Sequence, residues 1–422
     1  MGKFVGYRCS LCQTEYAAGE VTYTCPKDGG NLDVALDYDA IKNKYQPEDI
    51  LSRTDPSLWR YRPLLPVTMP DGDSTPLHAA GGTPVFKLTS LAEKLGLQYL
   101  WLKDESRNPT ASFKDRASAI VVARAQELKA DVVVTASTGN AGAALAGMSA
   151  SVGQKAVIFA PKSAPQAKVA QLLIFGAKVI LVDGTYDDAF DLTIKCAEEF
   201  GWYCRNTGYN PFTAEGKKTA AFEIWEWWKG AHREFHKRVG DETDHKPLTV
   251  FVSVGDGNII SGIHKGFKDL VNLGWMTRLP RIIGVQAEGS AAISNAFHGN
   301  TETIIPVSAK TIADSISVDL PRDGVRAVRA AKETGGTYVN VSDAEIIRSI
   351  AELGRVGVFA EPAGATAYAG LVRATASGVV GGEDPILVLN TGSGLKDVRA
   401  AMQAVVEAPV IEPTLDAVKR VL

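Results

Sequence analysis

The segment NPTASFKDRAS (residues 108–118) places a lysine where it could do covalent chemistry. Asn108 and Pro109 mark a turn, and Thr110 and Ser112 are candidate N-caps for the apolar stretch that follows. Lys114 would then lie in the first helical turn, near the positive end of the helix dipole, where a cation is slightly disfavoured. An amine whose pKa is lowered can bond to a carbonyl carbon. A solvated lysine is the alternative, and position alone does not decide between them.

A polar glycine turn follows a strand-like run in TASTGNAGAA (residues 135–144). Its hydroxyl groups and free amides stand at the start of a helix, where they would hold a carboxylate. The residues concerned are Ser137, Thr138, Gly139 and Asn140. Simple N-capping is the alternative for any one such loop.

A second loop, VSVGDGNIISG (residues 252–262), is typical of phosphate binding. Gly255 and Gly257 flank Asp256 and let the backbone approach an anion, and Asn258 and Ile259 lead into a helix. The next glycine comes too late for the dinucleotide fingerprint G-x-G-x-x-G, and no Gly-Lys-Ser/Thr follows. The loop therefore predicts a site for a phosphate that does not belong to a nucleotide.

The third loop, NTGSGLKD (residues 390–397), also follows a strand and carries the hydroxyls of Thr391 and Ser393. Each loop alone is weak evidence. Three of them at strand ends, together with Lys114 at a helix start, indicate a phosphate-bearing ring cofactor that is held covalently.

The elements that must position these residues alternate between strands and helices. Buried β-branched runs separate segments with helical periodicity, which predicts right-handed βαβ units in an open α/β sheet with ligands at the carboxyl ends of the strands. The predicted strands lie in DVVVTAS, KAVIFAP, AKVILVDG, LTVFVSVG, RIIGVQAE and PILVLNTG. At 422 residues the chain is long enough for two large domains and a small additional module.

The composition excludes several functional classes. With 45% hydrophobic residues, 22% charged residues and a net charge of −3, the chain shows no basic surplus for nucleic acid or an anionic membrane. Its beginning, MGKFVGYRCS, has no apolar signal region, and five cysteines, an odd count, suit a reducing compartment. We therefore expect a cytoplasmic protein without nucleic-acid or membrane partners.

Residues 1–35 form a separate pattern. Cys9 and Cys12 are followed after twelve residues by Cys25, and Asp28 stands where a zinc ribbon would have a fourth cysteine. A Cys3Asp zinc site is one interpretation, since carboxylate oxygen also binds zinc. The alternative is a zinc-ribbon-like knuckle that folds by packing and hydrogen bonds without metal.

Over residues 80–400 these motifs resemble the β-family, or fold type II, of pyridoxal-phosphate enzymes, which includes tryptophan synthase β chains and threonine dehydratases. NPTASFKDRAS is similar to the segment N-P-T-x-S-F-K-D-R, whose lysine forms the Schiff base, here Lys114. STGNAG resembles the loop that binds the substrate carboxylate, with Asn140 at the pyridine 3-hydroxyl. VGDGN resembles the phosphate loop. TGSGLKD is similar to T-G-x-G-L-K-D of the threonine synthases, which places Thr391 at the pyridine nitrogen.

The resemblance implies an α/β fold of two open, twisted, mostly parallel sheets with flanking helices. We expect a zinc-ribbon-like module at 1–35, an extended arm at 36–80, a cofactor domain at 81–115 and 206–408, a smaller domain at 116–205, and a tail at 409–422. A homodimer is expected.

The segment NTGYNPFTAEGKKTAAFEI (residues 206–224) resembles N-S-x-N-P-Y-R-x-E-G-Q-K-T of the threonine synthases, which helps to bind the phosphate of O-phosphohomoserine. Asn206 and Thr207 match its start, but its arginine falls at Thr213, and this exchange loses a bidentate phosphate partner. Lys217 or Lys218 would supply the charge instead. We expect the phosphate to rest on Asn206, Thr207, Ser112 and Lys217.

The resemblance implies a lyase that converts O-phosphohomoserine and water into threonine and phosphate, with Lys114 as the general base. Thr213 favours a rival: elimination or replacement at the β-carbon of threonine, serine or O-phosphoserine, as in dehydratases or cysteate synthases. A non-catalytic module that binds an amino acid is a third interpretation, which the intact lysine and the three complete loops oppose.

Overall fold

The computed structural model describes residues 4–72, 74–164, 166–239 and 246–422. Its strands are β1 (Phe4–Cys9), β2 (Glu15–Ala17), β3 (Leu32–Leu36), β4 (Val85–Lys87), β5 (Leu100–Asp104), β6 (Val132–Ala136), β7 (Lys155–Pro161), β8 (Lys178–Val182), β9 (Tyr203–Cys204), β10 (Thr249–Ser253), β11 (Arg281–Ala287), β12 (Thr337–Val341) and β13 (Ile386–Asn390). All six predicted strand segments are strands. The predicted fold class, α/β with two mostly parallel sheets, is confirmed.

The helices fill the connections between the strands. They are α1 (Tyr38–Lys44), α2 (Pro47–Leu51), α3 (Thr89–Leu95), α4 (Lys114–Glu127), α5 (Asn140–Ala150), α6 (Gln166–Ile174), α7 (Tyr186–Phe200), α8 (Phe212–Lys217), α9 (Thr219–Val239), α10 (Asn258–Asn272), α11 (Ala292–His298), α12 (Gly324–Glu333), α13 (Asp343–Arg355), α14 (Pro362–Ala376), α15 (Val398–Met402) and α16 (Leu415–Lys419). Among the described helices, none combines the length and the apolar character needed to cross a lipid bilayer.

Two open sheets form the body of the molecule. The larger has the order β12-β11-β10-β13-β5-β4 and is parallel except for β4, and the smaller has the order β8-β7-β6-β9 and is parallel throughout. Every residue of β6, β10 and β13 is buried, as expected of strands covered by helices on both faces. The three glycine-rich loops follow these three strands. The domain boundaries themselves stay predictions.

The N-terminal residues form a third, small sheet, in which β1 pairs antiparallel with both β2 and β3. Residues 36–80, expected as an extended arm, instead contain α1, α2 and a 3-10 helix at Leu58–Leu64. Trp59 and Tyr61 of this 3-10 helix are fully buried in the main core. The segment is folded rather than extended because it carries apolar residues between its prolines. Burying these residues requires the segment to pack against the two large sheets and their helices.

A buried network of four charges holds the start of α4 in place. Arg116 donates to both carboxylate oxygens of Glu105 at 2.7 and 2.8 Å and to both of Glu223 at 2.6 and 2.7 Å. Lys103 donates to Glu223 at 2.7 Å. The two positive and two negative charges balance, and each side chain has several partners, as buried ions require. The network lies two residues from Lys114 and fixes its helix to β5 and α9.

We expect Arg116→Met to lower the free energy of unfolding by about 3–5 kcal/mol, because it leaves the buried carboxylates of Glu105 and Glu223 with too little positive charge. Urea unfolding of purified protein measures the loss. The exposed ion pair between Lys155 and Asp131 provides the control, since Asp131→Asn should cost at most about 1 kcal/mol. Equal losses in the two variants would contradict this view of the network.

Candidate active site

Three helices begin at residues that the sequence singled out. Helix α4 begins at Lys114, α5 at Asn140 and α10 at Asn258. Within the described part of the chain, no side chain caps the first turn of any of the three. In α5 and α10 the first amide groups are therefore donors that the helices themselves do not use, whereas in α4 the amides of Asp115 and Arg116 donate to the carbonyls of Ser112 and Phe113. The positive ends of these helices favour anions.

The loop before Lys114 is attached to the loop of Thr391. Ala111 has a left-handed φ of 63°. Its carbonyl accepts from the Ser393 amide at 3.1 Å, and the Phe113 amide donates to the Thr391 carbonyl at 2.9 Å. This pairing brings the predicted cofactor lysine next to the predicted partner of the ring nitrogen.

The predicted N-caps of this helix were wrong. Phe113 occupies the N-cap position of α4, and the Thr110 hydroxyl donates to the Asp115 carboxylate instead. The left-handed turn at Ala111 directs the chain away from the geometry that a capping Thr110 or Ser112 would need.

The amine of Lys114 lies in a partly enclosed, charged environment. Burial lowers the pKa of Lys114, the Glu361 carboxylate opposes that shift, and the Arg205 guanidinium adds to it. Asn140 donates to both Glu361 oxygens at 2.8 and 2.9 Å. A lysine with a lowered pKa is a better nucleophile near neutral pH, as covalent catalysis requires.

Glu361 was missed from the sequence. It is buried, and its amide donates to the Gly392 carbonyl at 3.0 Å, so it joins the loops of Asn140 and Thr391. Burial raises the pKa of Glu361. The signal was present: GVFAEPAGATAYAG carries one acidic residue in an otherwise apolar and small-residue stretch.

The glycines of the predicted phosphate loop are required by close packing. A Cβ on Gly257, whose φ is 91°, would come within 2.6 Å of the Asp323 carbonyl oxygen, and one on Gly255 within 2.7 Å of the Ile316 Cα. The Asp256 carboxylate accepts from the Arg322 amide at 2.6 Å. Burial raises the pKa of Asp256 to about 7, which reduces the repulsion of an anion at this loop.

Lys217, the last residue of α8, lies beside the start of α10. It is fully buried, and its Nζ donates to the Asn258 Oδ1 at 2.6 Å, while the Thr213 hydroxyl lies 3.1 Å from the same oxygen. Burial and the nearby positive charges of Lys114 and Arg205 lower the pKa of Lys217. Lys218, the alternative, pairs with Asp269 at 2.8 Å and is neutralised inside the body. Of the two, Lys217 is the one beside Lys114.

Arg205 is the second residue that sequence reasoning missed. It is 1% exposed, and its Nη1 donates to the Thr207 hydroxyl at 2.6 Å, but its Nη2 has no hydrogen-bond partner among the described residues. Burial lowers the pKa of Arg205 to about 10, so the group keeps its charge at neutral pH. Its signal was its place at the end of β9, directly before the matched Asn206.

Of the predicted substrate residues, Thr138 lines a cavity near Glu361, and Asn206 is connected to the same loop by hydrogen bonds. Asn206 accepts from the Ala136 amide at 2.8 Å and so lies beside Ser137, whose hydroxyl accepts from the Gly139 amide at 3.2 Å. Thr138, Gly139, Asn140 and Glu361 line one cavity. Two polar atoms of this region, Ser112 Oγ and Asn206 Nδ2, are buried without a hydrogen-bond partner among the described residues.

These residues fit pyridoxal phosphate. The aldehyde of this cofactor needs an amine, which Lys114 provides, and its phosphate needs amide donors at a positive helix end, which the uncapped start of α10 provides. Ser112 Oγ, Arg205 Nη2 and Asn206 Nδ2 are buried polar atoms without a hydrogen-bond partner among the described residues. A polar, anionic ligand would provide acceptors for them.

Comparison with solved structures supports the fold. The processed form of threonine deaminase isoform 2 from Solanum lycopersicum superposes with a TM-score of 0.64 at 22% identity, covering 81% of this chain and 92% of that one. Diaminopropionate ammonia lyase from Escherichia coli superposes with a TM-score of 0.65 at 20% identity, covering 86% and 93%.

Sequence comparison reaches further. Residues 77–392 match the family described as pyridoxal-phosphate dependent enzymes. The threonine synthase of Methanocaldococcus jannaschii is 38% identical over 98% of both chains, and that of Methanosarcina acetivorans is 36% identical over 98% of both. The threonine synthase of Mycobacterium tuberculosis is 34% identical over 84% of this chain and 91% of its own. With its lysine loop, its glycine loops and its fold all in agreement with this similarity, the chain belongs to the threonine synthase family of pyridoxal-phosphate dependent enzymes.

Proposed function

We propose that this enzyme converts O-phosphohomoserine and water into threonine and inorganic phosphate. The observation that carries the proposal is the pair of buried basic side chains, Lys217 and Arg205, beside the amine of Lys114. A substrate with an amino acid at one end and a phosphate dianion at the other matches this arrangement. Family membership supports the same reaction.

Bound pyridoxal phosphate supplies an aldehyde that bonds to amines and a ring that withdraws electrons from the α-carbon of an amino acid. The amide groups of Gly255–Ile259 would hold its phosphate, and Asn140 its ring hydroxyl. Thr391 would bond to the ring nitrogen. A neutral hydroxyl does not strongly protonate that nitrogen, which favours elimination and addition over transamination.

Lys114 has two roles in this proposal. Its Nζ would hold the cofactor aldehyde before substrate binds, and as a free amine it would take the proton from the substrate α-carbon. Glu361 and Asn140 keep this amine in a fixed polar environment. A second proton then leaves the β-carbon, phosphate departs from the γ-carbon, and the γ-carbon takes up a proton to become the methyl group. Water adds at the β-carbon, and the α-carbon regains a proton, which completes the reaction.

The substrate is oriented by its two anionic ends. The turn of Ser137 and Thr138 would hold the carboxylate. The phosphate would rest on Ser112, Asn206, Thr207, Lys217 and Arg205.

Lys217 stands four residues after Thr213, one helical turn along α8, and both side chains reach Asn258 Oδ1. In the family segment the corresponding positions hold arginine and glutamine. The positive charge that Thr213 lacks is therefore supplied one turn later on the same face of α8.

Thr213 also favours a second function, elimination or replacement at the β-carbon of threonine, serine or O-phosphoserine. One experiment separates the two. The purified enzyme with pyridoxal phosphate is given each substrate, and phosphate, threonine and 2-oxobutanoate are measured. We expect equal amounts of threonine and phosphate from O-phosphohomoserine. Rapid 2-oxobutanoate formation from threonine, with O-phosphohomoserine unreacted, would establish the second function instead.

We also propose that the enzyme works as a homodimer in the cytoplasm. The reducing compartment is supported by the five free thiols, since three of them gather around Asp28 in an arrangement that suits reduced cysteine. The dimer is supported by the family resemblance.

A further inference from the structure

The N-terminal sheet brings three thiols and one carboxylate to a single point. One ligand atom from each of Cys9, Cys12, Cys25 and Asp28 lies within 4.8 Å of all the others. Two turns of chain, Cys9–Cys12 and Cys25–Asp28, provide these side chains in pairs, as in zinc knuckles. The four atoms thus surround a common centre.

The spacing of these atoms suits one tetrahedral zinc ion. Two zinc–sulfur bonds of about 2.3 Å at the tetrahedral angle place their sulfur atoms about 3.8 Å apart, and a zinc–oxygen bond of about 2.0 Å shortens the edge to about 3.5 Å. Cys12 Sγ and Cys25 Sγ are 3.7 Å apart. Cys9 Sγ lies 3.3 and 3.6 Å from the two Asp28 oxygens.

Backbone groups around the four ligands orient them. The Leu11 amide donates to Cys9 Sγ at 3.3 Å, and the amides of Gly30 and Cys12 donate to the two Asp28 oxygens at 2.8 and 3.1 Å. Gly30 admits no side chain, because a Cβ there would come within 2.8 Å of Cys9 Sγ and 2.9 Å of Asp28 Oδ1. Such outer hydrogen bonds fix and tune metal ligands.

Two residues that flank the second turn, Tyr23 and Asn31, contact the segment 204–209. Asn31, whose carbonyl accepts from Ser10 at 2.9 Å, donates from its side chain to the Gly208 carbonyl at 2.5 Å. Tyr23 accepts from the Cys204 amide at 2.9 Å and stacks on Tyr209 with ring centroids 4.5 Å apart. These contacts bracket the segment 204–209, which carries Arg205, Asn206 and Thr207.

We propose that Cys9, Cys12, Cys25 and Asp28 bind one structural zinc ion, and that this ion holds the segment 204–209 in its place beside the cofactor lysine. Removing the ion frees the turn Cys25–Asp28, which Tyr23 and Asn31 flank, and so loosens the segment that these two residues contact. The zinc site does not depend on the proposed reaction. Its metal content is measured without substrate.

The first test is metal analysis of the full-length protein purified after growth with zinc. We expect about one equivalent of zinc per chain, as a four-ligand site binds one ion. Cys12→Ser should weaken zinc binding by more than the roughly 10–100-fold that loss of a ligand's hydrogen-bond partner costs. Cys196→Ser is the matched control, because this thiol lies on α7 outside the cluster, and it should leave the zinc content unchanged. Asp28→Cys should retain zinc and release it to a chelator more slowly.

The second test is amide hydrogen exchange in the wild type before and after removal of zinc by a chelator. Exchange should increase in residues 203–213 while β10 and β13 remain protected. Protein that contains no zinc and takes up none when zinc is added would overturn the site. Zinc removal that leaves exchange in 203–213 unchanged would overturn the positioning role.

Discussion

Replacement of Lys114 by alanine lowers kcat for O-phosphohomoserine by at least about 10⁴-fold, the upper range of what a positioned general base contributes. The variant loses both the amine that holds the cofactor and the base that removes the α-proton. The fold should survive, because Lys114 is the first residue of α4 and the neighbouring Arg116 network remains. Phosphate release measures the loss, and thermal unfolding checks the fold.

A chemical readout accompanies this experiment. Borohydride reduction of the wild-type holoenzyme should fix the cofactor to the peptide that contains Lys114, and the same treatment should leave the Lys114→Ala variant unlabelled. Lys155→Ala is the matched control, because this exposed lysine on β7 pairs only with Asp131 in the structure, and its activity should equal that of the wild type. Turnover near the wild-type rate in Lys114→Ala would refute the assignment.

The phosphate-binding cations should produce the second large effect. Charge-assisted hydrogen bonds are worth about 1.5–3 kcal/mol each, so Lys217→Ala and Arg205→Ala should each raise KM for O-phosphohomoserine by roughly tenfold or more. Of the two substitutions, Arg205→Ala should raise KM more, because the Arg205 Nη2 is buried and charged and has no hydrogen-bond partner among the described residues. Initial-rate kinetics over a range of substrate concentrations measure both constants.

A pair of substitutions at Lys217 and Thr213 provides the control for this prediction. Lys217→Gln should impair the enzyme, and addition of Thr213→Arg should restore much of the loss, because both side chains lie on one face of α8 beside Asn258. Turnover of threonine or serine, which carry no phosphate, should change little in the same variants. The phosphohomoserine assignment fails if Lys217→Ala leaves its kinetics unchanged while O-phosphoserine is turned over well.

Local patterns were enough to predict six of the thirteen described strands and the three glycine loops, because both depend on nearby residues. Buried β-branched runs form strands wherever helices cover them, and glycine turns follow their ends. The start of α4 at Lys114 was harder to predict from the sequence. It depends on the left-handed turn at Ala111 and on hydrogen bonds to Thr391 and Ser393, far away in the sequence.

Arg205 and Glu361 could not be assigned from the sequence for a related reason. An arginine at a strand end is ordinarily solvated, whereas Arg205 is buried against Ser118 of α4 and Thr207. Glu361 becomes a candidate site residue only through its hydrogen bond with Asn140, more than two hundred residues away in the sequence. Such residues are identified by their neighbours in the folded chain, and the hydrophobic periodicity of the sequence does not predict those neighbours.

The route of the chain between its two sheets restricts how this enzyme can change. It passes from the larger sheet to the smaller one through α4, which begins with Lys114, and returns from β9 through the segment that carries Arg205 and Lys217. Both crossings therefore carry residues proposed to act in catalysis or substrate binding. Insertions and new termini should be accommodated better in other connections, such as the turn between α7 and β9. At the two crossings, a change in length would displace the amine of Lys114 or the side chains of Arg205 and Lys217.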